Sequence, residues 1–198
     1  VMASKIKVDT LETANGSGTI ALSNQLSGMT TASLPALGSA QMPSGSVLQV
    51  ISTTMTDTLV YASQNTYADI AGLTATITPT STSSKIMVTC NVVMINTGSN
   101  IYVALKRGSD FVGTGPASGN RSQVSSGNAH DTSVGTNGLL ALNFEYLDSP
   151  STTSATTYKV QSITDTGTVT YVNRTPNDTN AVYGVRSQST ITLMEIQG

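Results

Sequence analysis

Leu73, Ala75 and Ile77 alternate without a fault with Thr74, Thr76 and Thr78. A few residues later Ile86, Val88, Cys90, Val92 and Met94 repeat the pattern around Met87, Thr89, Asn91, Val93 and Ile95. A period of two places successive side chains on opposite faces of a strand, so these segments each bury one face. No window of helical length carries apolar residues at the i, i+3, i+4, i+7 spacing of an amphipathic helix. Further strands are expected at Val47–Ser52, Ile101–Arg107, Leu139–Leu147, Tyr158–Ile163, Thr168–Arg174 and Thr190–Ile196, separated by Gly and Ser punctuation. In the Leu139–Leu147 strand, Leu140, Leu142, Phe144 and Tyr146 face one way. Many short strands with turn signals predict an all-β chain, an antiparallel β-sandwich of jelly-roll-like topology.

The chain organises into three parts. Over residues 1–22, Ile6, Val8 and Leu11 precede the Asn15-Gly16-Ser17-Gly18 turn, with Ile20 and Leu22 after it. That pattern reads as a short extended or β-hairpin N-terminal arm. Two strands alone are marginal in water, so the arm is expected to order against a partner, its own copies in an oligomer or a larger assembly, and these five apolar residues are its candidate anchoring contacts. Residues 23–46 carry Gly28, Pro35, Gly38, Pro43 and Gly45 and read as a linker. The sandwich occupies residues 47–198. Within it, Asp110–Gly138 is Gly-rich and poor in apolar residues, and is expected to be an exposed excursion. Arg121 and His130 in that segment are the candidate recognition residues.

Composition sharpens this reading. Charged residues are only 10% of the chain, against about 25% in ordinary soluble domains. Ser and Thr replace them, and Thr suits a half-exposed pleated surface better than a helix. The net charge of −2 supplies no basic footprint for nucleic acid. No run reaches the length of a membrane-spanning helix, so no membrane insertion is expected. The opening Met2-Ala3-Ser4-Lys5-Ile6-Lys7 lacks a signal-peptide pattern, which predicts synthesis and assembly in the cytoplasm.

Chemistry is sparse. His130 is the single histidine and falls in the excursion; Cys90 is the single cysteine and falls in an apolar strand, where a buried structural thiol is expected. No metal-ligand spacing, phosphate loop or nucleophile elbow occurs, and no cofactor is expected. Glu145 and Glu195 lie within strands, where Glu145 is positioned to pair with Lys106 or Lys159. Four Asn-x-Ser/Thr sequons begin at Asn15, Asn120, Asn173 and Asn177, as expected by chance in a chain so rich in hydroxyls. The chain therefore reads as non-enzymatic. Tyr61, Tyr67, Tyr102, Tyr171 and Tyr183 are available as sugar-stacking platforms or as core and interface residues.

Several stretches resemble a module of tail-fibre-like and other virion proteins of marine bacteriophages, cyanophages included. They are the opening Ser4-Lys5-Ile6-Lys7-Val8-Asp9-Thr10-Leu11-Glu12 with Gly18-Thr19-Ile20-Ala21-Leu22, and the strand–loop–strand Ile77-Thr78-Pro79-Thr80-Ser81-Thr82-Ser83-Ser84-Lys85-Ile86. Asp148 to Tyr158, Tyr171-Val172-Asn173-Arg174 and the closing Ser189 to Ile196 complete the set. The resemblance implies a homotrimeric sandwich in the virion, held to other tail or capsid proteins by the arm and presented outward. It implies a short tail fibre or receptor-binding protein that meets a host surface glycan or receptor. A capsid decoration or head-fibre protein is the alternative, and a small carbohydrate-active enzyme or free lectin is a third. A trimer would bury the second face of the central strand, which makes Met87, Val93 and Ile95 the candidate interface.

Overall fold

The alternating segments pair into two antiparallel sheets. A computed structural model describes residue 38 and residues 41–128 and 135–198, all within one unit running from Gly38 to Gly198. The arm residues Ile6, Val8, Leu11, Ile20 and Leu22 lie outside the described residues, as does His130. The strands are β1 (Val47–Met55), β2 (Leu59–Ala62), β3 (Ala68–Ile77), β4 (Lys85–Asn96), β5 (Ile101–Arg107) and β6 (Asp110–Val112). They continue with β7 (Ser126–Asn128), β8 (Leu140–Asp148), β9 (Thr156–Thr164), β10 (Val169–Val172) and β11 (Ser189–Ile196). Among the described residues there is no α-helix, and a 3-10 turn spans Gly135–Asn137.

Sheet one runs β8–β4–β11–β1, and β10 and β2 prolong the β11 and β1 lines past a break. Sheet two runs β3–β9–β5, with β6 and β7 sharing the remaining edge of β5. From β2 to β5 and again from β7 to β10 the chain changes sheet with each new strand, which is the jelly-roll-like sandwich expected from the pattern.

The alternating residues make the core. Ile86, Val88, Cys90, Val92 and Met94 of β4 are buried against Leu73, Ala75 and Ile77 of β3, Ile101, Val103 and Leu105 of β5, and Ile191 and Leu193 of β11. Each such aliphatic side chain contributes about 1.5–3 kcal/mol on full burial. The β3–β9 register shifts between Asp69 and Thr74. Gly72 takes φ +95° there, and a Cβ would sit 3.2 Å from Cγ of Met55, so this irregularity requires glycine.

One buried side chain governs the break in sheet one. Asn173 follows β10 with φ 59° and is fully buried. Its Nδ2 donates to the carbonyls of Met55 (2.8 Å) and Asp57 (3.0 Å). Its Oδ1 accepts from Oγ of Ser189 (2.6 Å), and its amide donates to the Val93 carbonyl (2.9 Å). The Val93 amide in turn donates to Ser189 Oγ (2.9 Å). Asn173 thus satisfies the backbone groups that the interruption would orphan, which is why β10 ends at Val172 and not at Arg174.

Two expectations need correction. The strand expected from Leu73 begins at Ala68, and β2 lacked a pattern long enough to read. The Asp110–Gly138 excursion is not wholly exposed, because β6 and β7 within it hydrogen-bond to β5.

Candidate recognition groove

The sandwich has two differently built ends. At one end residues 41–46 lead into β1, with the Gly45 amide donating to the Gln197 carbonyl and the Gln197 amide to the Ser46 carbonyl, each at 2.8 Å. Two buried carboxylates flank Ile86 of β4 at this end, Asp148 from β8 and Glu195 from β11. Asp148 accepts from Nη1 of Arg107 at 2.9 and 2.8 Å and from the Tyr158 hydroxyl at 2.6 Å, which ties sheet one to sheet two. Burial, reinforced by Asp148, pushes the Tyr158 hydroxyl well above its ordinary value.

Glu195 is fully buried and accepts from Gln49 Nε2 (2.6 Å), the Thr80 amide (2.6 Å), Thr80 Oγ1 (2.7 Å) and Ser84 Oγ (2.7 Å). Burial alone would raise its pKa, yet the Gln49, Ser84 and Thr80 donors together hold it below the usual value. Both carboxylates are occupied by donors from their own chain, so they serve cohesion between elements.

At the opposite end a groove opens on sheet two. Tyr102 of β5 borders two adjoining depressions that also share Val124. One, of 350 Å³, is lined by Arg121, Ser122 and Asp165; the other, of 360 Å³, by Asn100 and residues 125–128. Gly127 lies against the Tyr102 ring so closely that a Cβ there would collide with it. Asp165, in the turn between β9 and β10, accepts from Ser99 Oγ, the Asn100 amide (3.2 Å) and Asn100 Nδ2 (2.8 Å). The Ser99 hydroxyl is the main cause of its lowered pKa; partial desolvation opposes this and Asn100 adds to it. Asp165 is therefore an oriented, ionised acceptor at neutral pH.

The segment that carries Arg121 is tied down along its length. Arg121 Nη1 donates to Ser118 Oγ (3.2 Å), Gln123 Nε2 to the Gly115 carbonyl (3.0 Å) and the Tyr67 hydroxyl to the Gln123 carbonyl (2.8 Å). The Ser125 amide donates to the Val103 carbonyl (2.7 Å), and its hydroxyl accepts from the Leu105 amide (3.0 Å). Tyr67 also packs on Phe111 at 4.7 Å, and Lys106 Nζ lies 4.7 Å over the Phe111 ring. The groove wall is thus preorganised by bonds to sheet two. Among the described residues no ion pair joins Arg121 to Asp165, so opposite charges face one groove without neutralising each other.

The candidate residues from the sequence fall in different places. Arg121 is exposed and lines the groove. Asp165 and Asn100 gave no sequence signal, because they meet from turns 65 residues apart. The expected Glu145 ion pair does not form: Glu145 is exposed opposite Thr89, while Lys159 pairs with Asp69 at 2.8 Å. Val93 and Ile95 are buried within the protomer, and only Met87 is half-exposed. Arg174 stacks 5.2 Å over Tyr171, which lies opposite Ile95, and Asp178 bridges Arg174 (2.9 Å) and Arg186 (2.7 Å), layering over this end of the face.

Met87 instead belongs to a row that crosses sheet one. Val50, Met194, Met87 and Leu147 are successive cross-strand partners on β1, β11, β4 and β8. Val50 and Leu147, at its two ends, are 53% and 43% exposed. The next two rows, Ser52–Thr192–Thr89–Glu145 and Thr54–Thr190–Asn91–Asn143, carry a single charge between them.

No protein-family model matches the chain, and no curated protein does. Among solved structures, one of infectious bursal disease virus, Gx strain, matches 82% of this chain at 15% identity with a TM-score of 0.36. The match spans 42% of that viral chain's length. A superposition this loose carries no argument about function.

Proposed function

We propose that the chain is a phage virion structural protein, a short tail fibre or receptor-binding protein whose sandwich faces outward for host-surface attachment. The observation that carries this reading is the polarity of the sandwich. Residues 41–46 join it at the Glu195 end. Tyr102 lies on β5 at the other end, roughly 17 Å along the strand from Arg107. A domain held from one end and furnished with a preorganised, mixed-charge groove at the other is built to present that groove. The arm, through Ile6, Val8, Leu11, Ile20 and Leu22, is the anchor to other virion proteins.

Three copies associate, in this proposal, through the outer face of sheet one. Its scarcity of charge and its apolar row have the composition of an interface core, where charged residues are depleted. The protein acts by binding, in keeping with two buried carboxylates already engaged by internal donors.

The test is competition for adsorption. Host cells preincubated with the purified full-length protein should adsorb the phage that carries it more slowly, in proportion to dose. Adsorption that is unchanged at saturating protein would overturn the attachment reading.

A further inference from the structure

We propose that the groove between Tyr102, Arg121 and Asp165 is a saccharide subsite that takes a pyranose ring. The proposal rests on the attachment reading and names the chemistry of what that groove holds. A pyranose offers an apolar C–H face on one side and directional hydroxyls around its rim. Tyr102 and Val124 supply apolar surface, and Tyr102 presents a rigid ring at little entropic cost. Asp165 is fixed by Ser99 and Asn100; Oδ1 accepts from both and Oδ2 from Asn100 Nδ2 alone, so an oriented acceptor position on Oδ2 stands ready for a sugar hydroxyl without reorganisation. Ser122, Ser126 and Asn128 ring the two depressions with further donors and acceptors. Each depression is at the small end of the range for small-molecule sites, the size of one or two sugar rings.

Other ligand classes fit less well. A phosphate backbone would meet the Asp165 carboxylate in a chain of net charge −2. A purely apolar ligand would strand Arg121 and Asp165 against it, at a desolvation cost. Arg121 lines the same depression as Asp165, and its guanidinium adds selectivity because it can donate to the carboxylate of a uronic acid.

Gly127 sets the pose of the aromatic wall. Any side chain at this position must push the Tyr102 ring, since a Cβ falls 3.1 Å from Cε1 and closer still to Cδ1. Gly127→Ala therefore displaces the platform while leaving the tyrosine present.

The experiment is ligand-observed saturation-transfer NMR on the full chain. The probes are methyl glucopyranoside, methyl mannopyranoside, galacturonic acid and a polysaccharide purified from the host surface. Transfer to ring C–H protons of at least one pyranose is expected, reduced roughly tenfold or more in Tyr102→Ala and Gly127→Ala. Arg121→Gln should weaken galacturonic acid binding by more than it weakens binding of the neutral sugars. Absence of transfer from wild type to every probe would overturn the subsite, as would unchanged binding by both Tyr102→Ala and Gly127→Ala. The two readings fail separately. If the protein competes for adsorption but no pyranose binds, the ligand class is wrong and attachment stands. If a pyranose binds in the groove while adsorption is untouched, the subsite stands and its role on the host surface does not.

Discussion

Removing the Glu195 carboxylate tests how the polar interior stabilises this fold. Glu195→Ala leaves four donor groups without their acceptor. Thr80 is exposed and its two donors recover water, whereas Ser84 is buried and Gln49 half-buried. Hydrogen bonds to a charged group contribute about 1.5–3 kcal/mol each, so the loss of the Ser84 and Gln49 bonds costs about 3–6 kcal/mol. For a domain of this size that lowers Tm by roughly 10 °C. Glu195→Gln keeps the shape and one carbonyl acceptor but turns an amide toward donors, and should cost about 2 kcal/mol at neutral pH. The pH dependence is the sharper part. Glu195 has a lowered folded-state pKa, so its stabilisation is fully present above the ordinary carboxylate value and lost as pH falls through the folded value. The Tm gap between wild type and Glu195→Gln should be widest near neutrality and close in acid, below about pH 4. Thermal denaturation followed by far-UV circular dichroism across that range reads it directly. A gap that does not change with pH, or a Glu195→Ala variant within about 2 °C of wild type, would refute the reasoning.

Other consequences are as direct. Asn173→Ala removes its side-chain bonds to Met55, Asp57 and Ser189 and puts at φ 59° a residue that tolerates the left-handed region less well than asparagine, so it should lose about 3 kcal/mol in urea unfolding. Asn173→Gly should lose about 1 kcal/mol less, because glycine tolerates that backbone; equal losses would remove the conformational part of the argument. Met87→Glu places a charge in the middle of the row that crosses sheet one, and light scattering should report monomers that keep the wild-type circular dichroism spectrum. A well-folded Met87→Glu oligomer would mean that copies associate elsewhere. Burial pushes the Cys90 thiol up to about 12, so it should resist alkylation in the native protein and react only on unfolding.

The core was legible because its signal is local. Each of Leu73, Ala75 and Ile77 announces its face through its neighbours, and the buried row of β4 does the same. The break between β10 and β11 was not legible, because Asn173 acts on carbonyls more than a hundred residues away and a lone asparagine has no period. Met87, Val93 and Ile95 share one face by alternation, yet only Met87 is left half-exposed; alternation fixes the side of a sheet and says nothing of what lies over it. The groove was half legible. Arg121 was a recognition candidate and Tyr102 one of five tyrosines open to stacking or to core packing, whereas Asp165 gains its role from Ser99 and Asn100, which reach it only once β5 and β9 have paired.

The central claim, that this chain is a virion component displayed for attachment, is tested most directly by quantitative mass spectrometry of purified particles against the major capsid protein. A copy number that is a small fraction of the capsid count, as for a component of the tail, is the predicted result. One copy or one trimer per capsomer would make it a decoration protein, and absence from the particle would contradict the account outright.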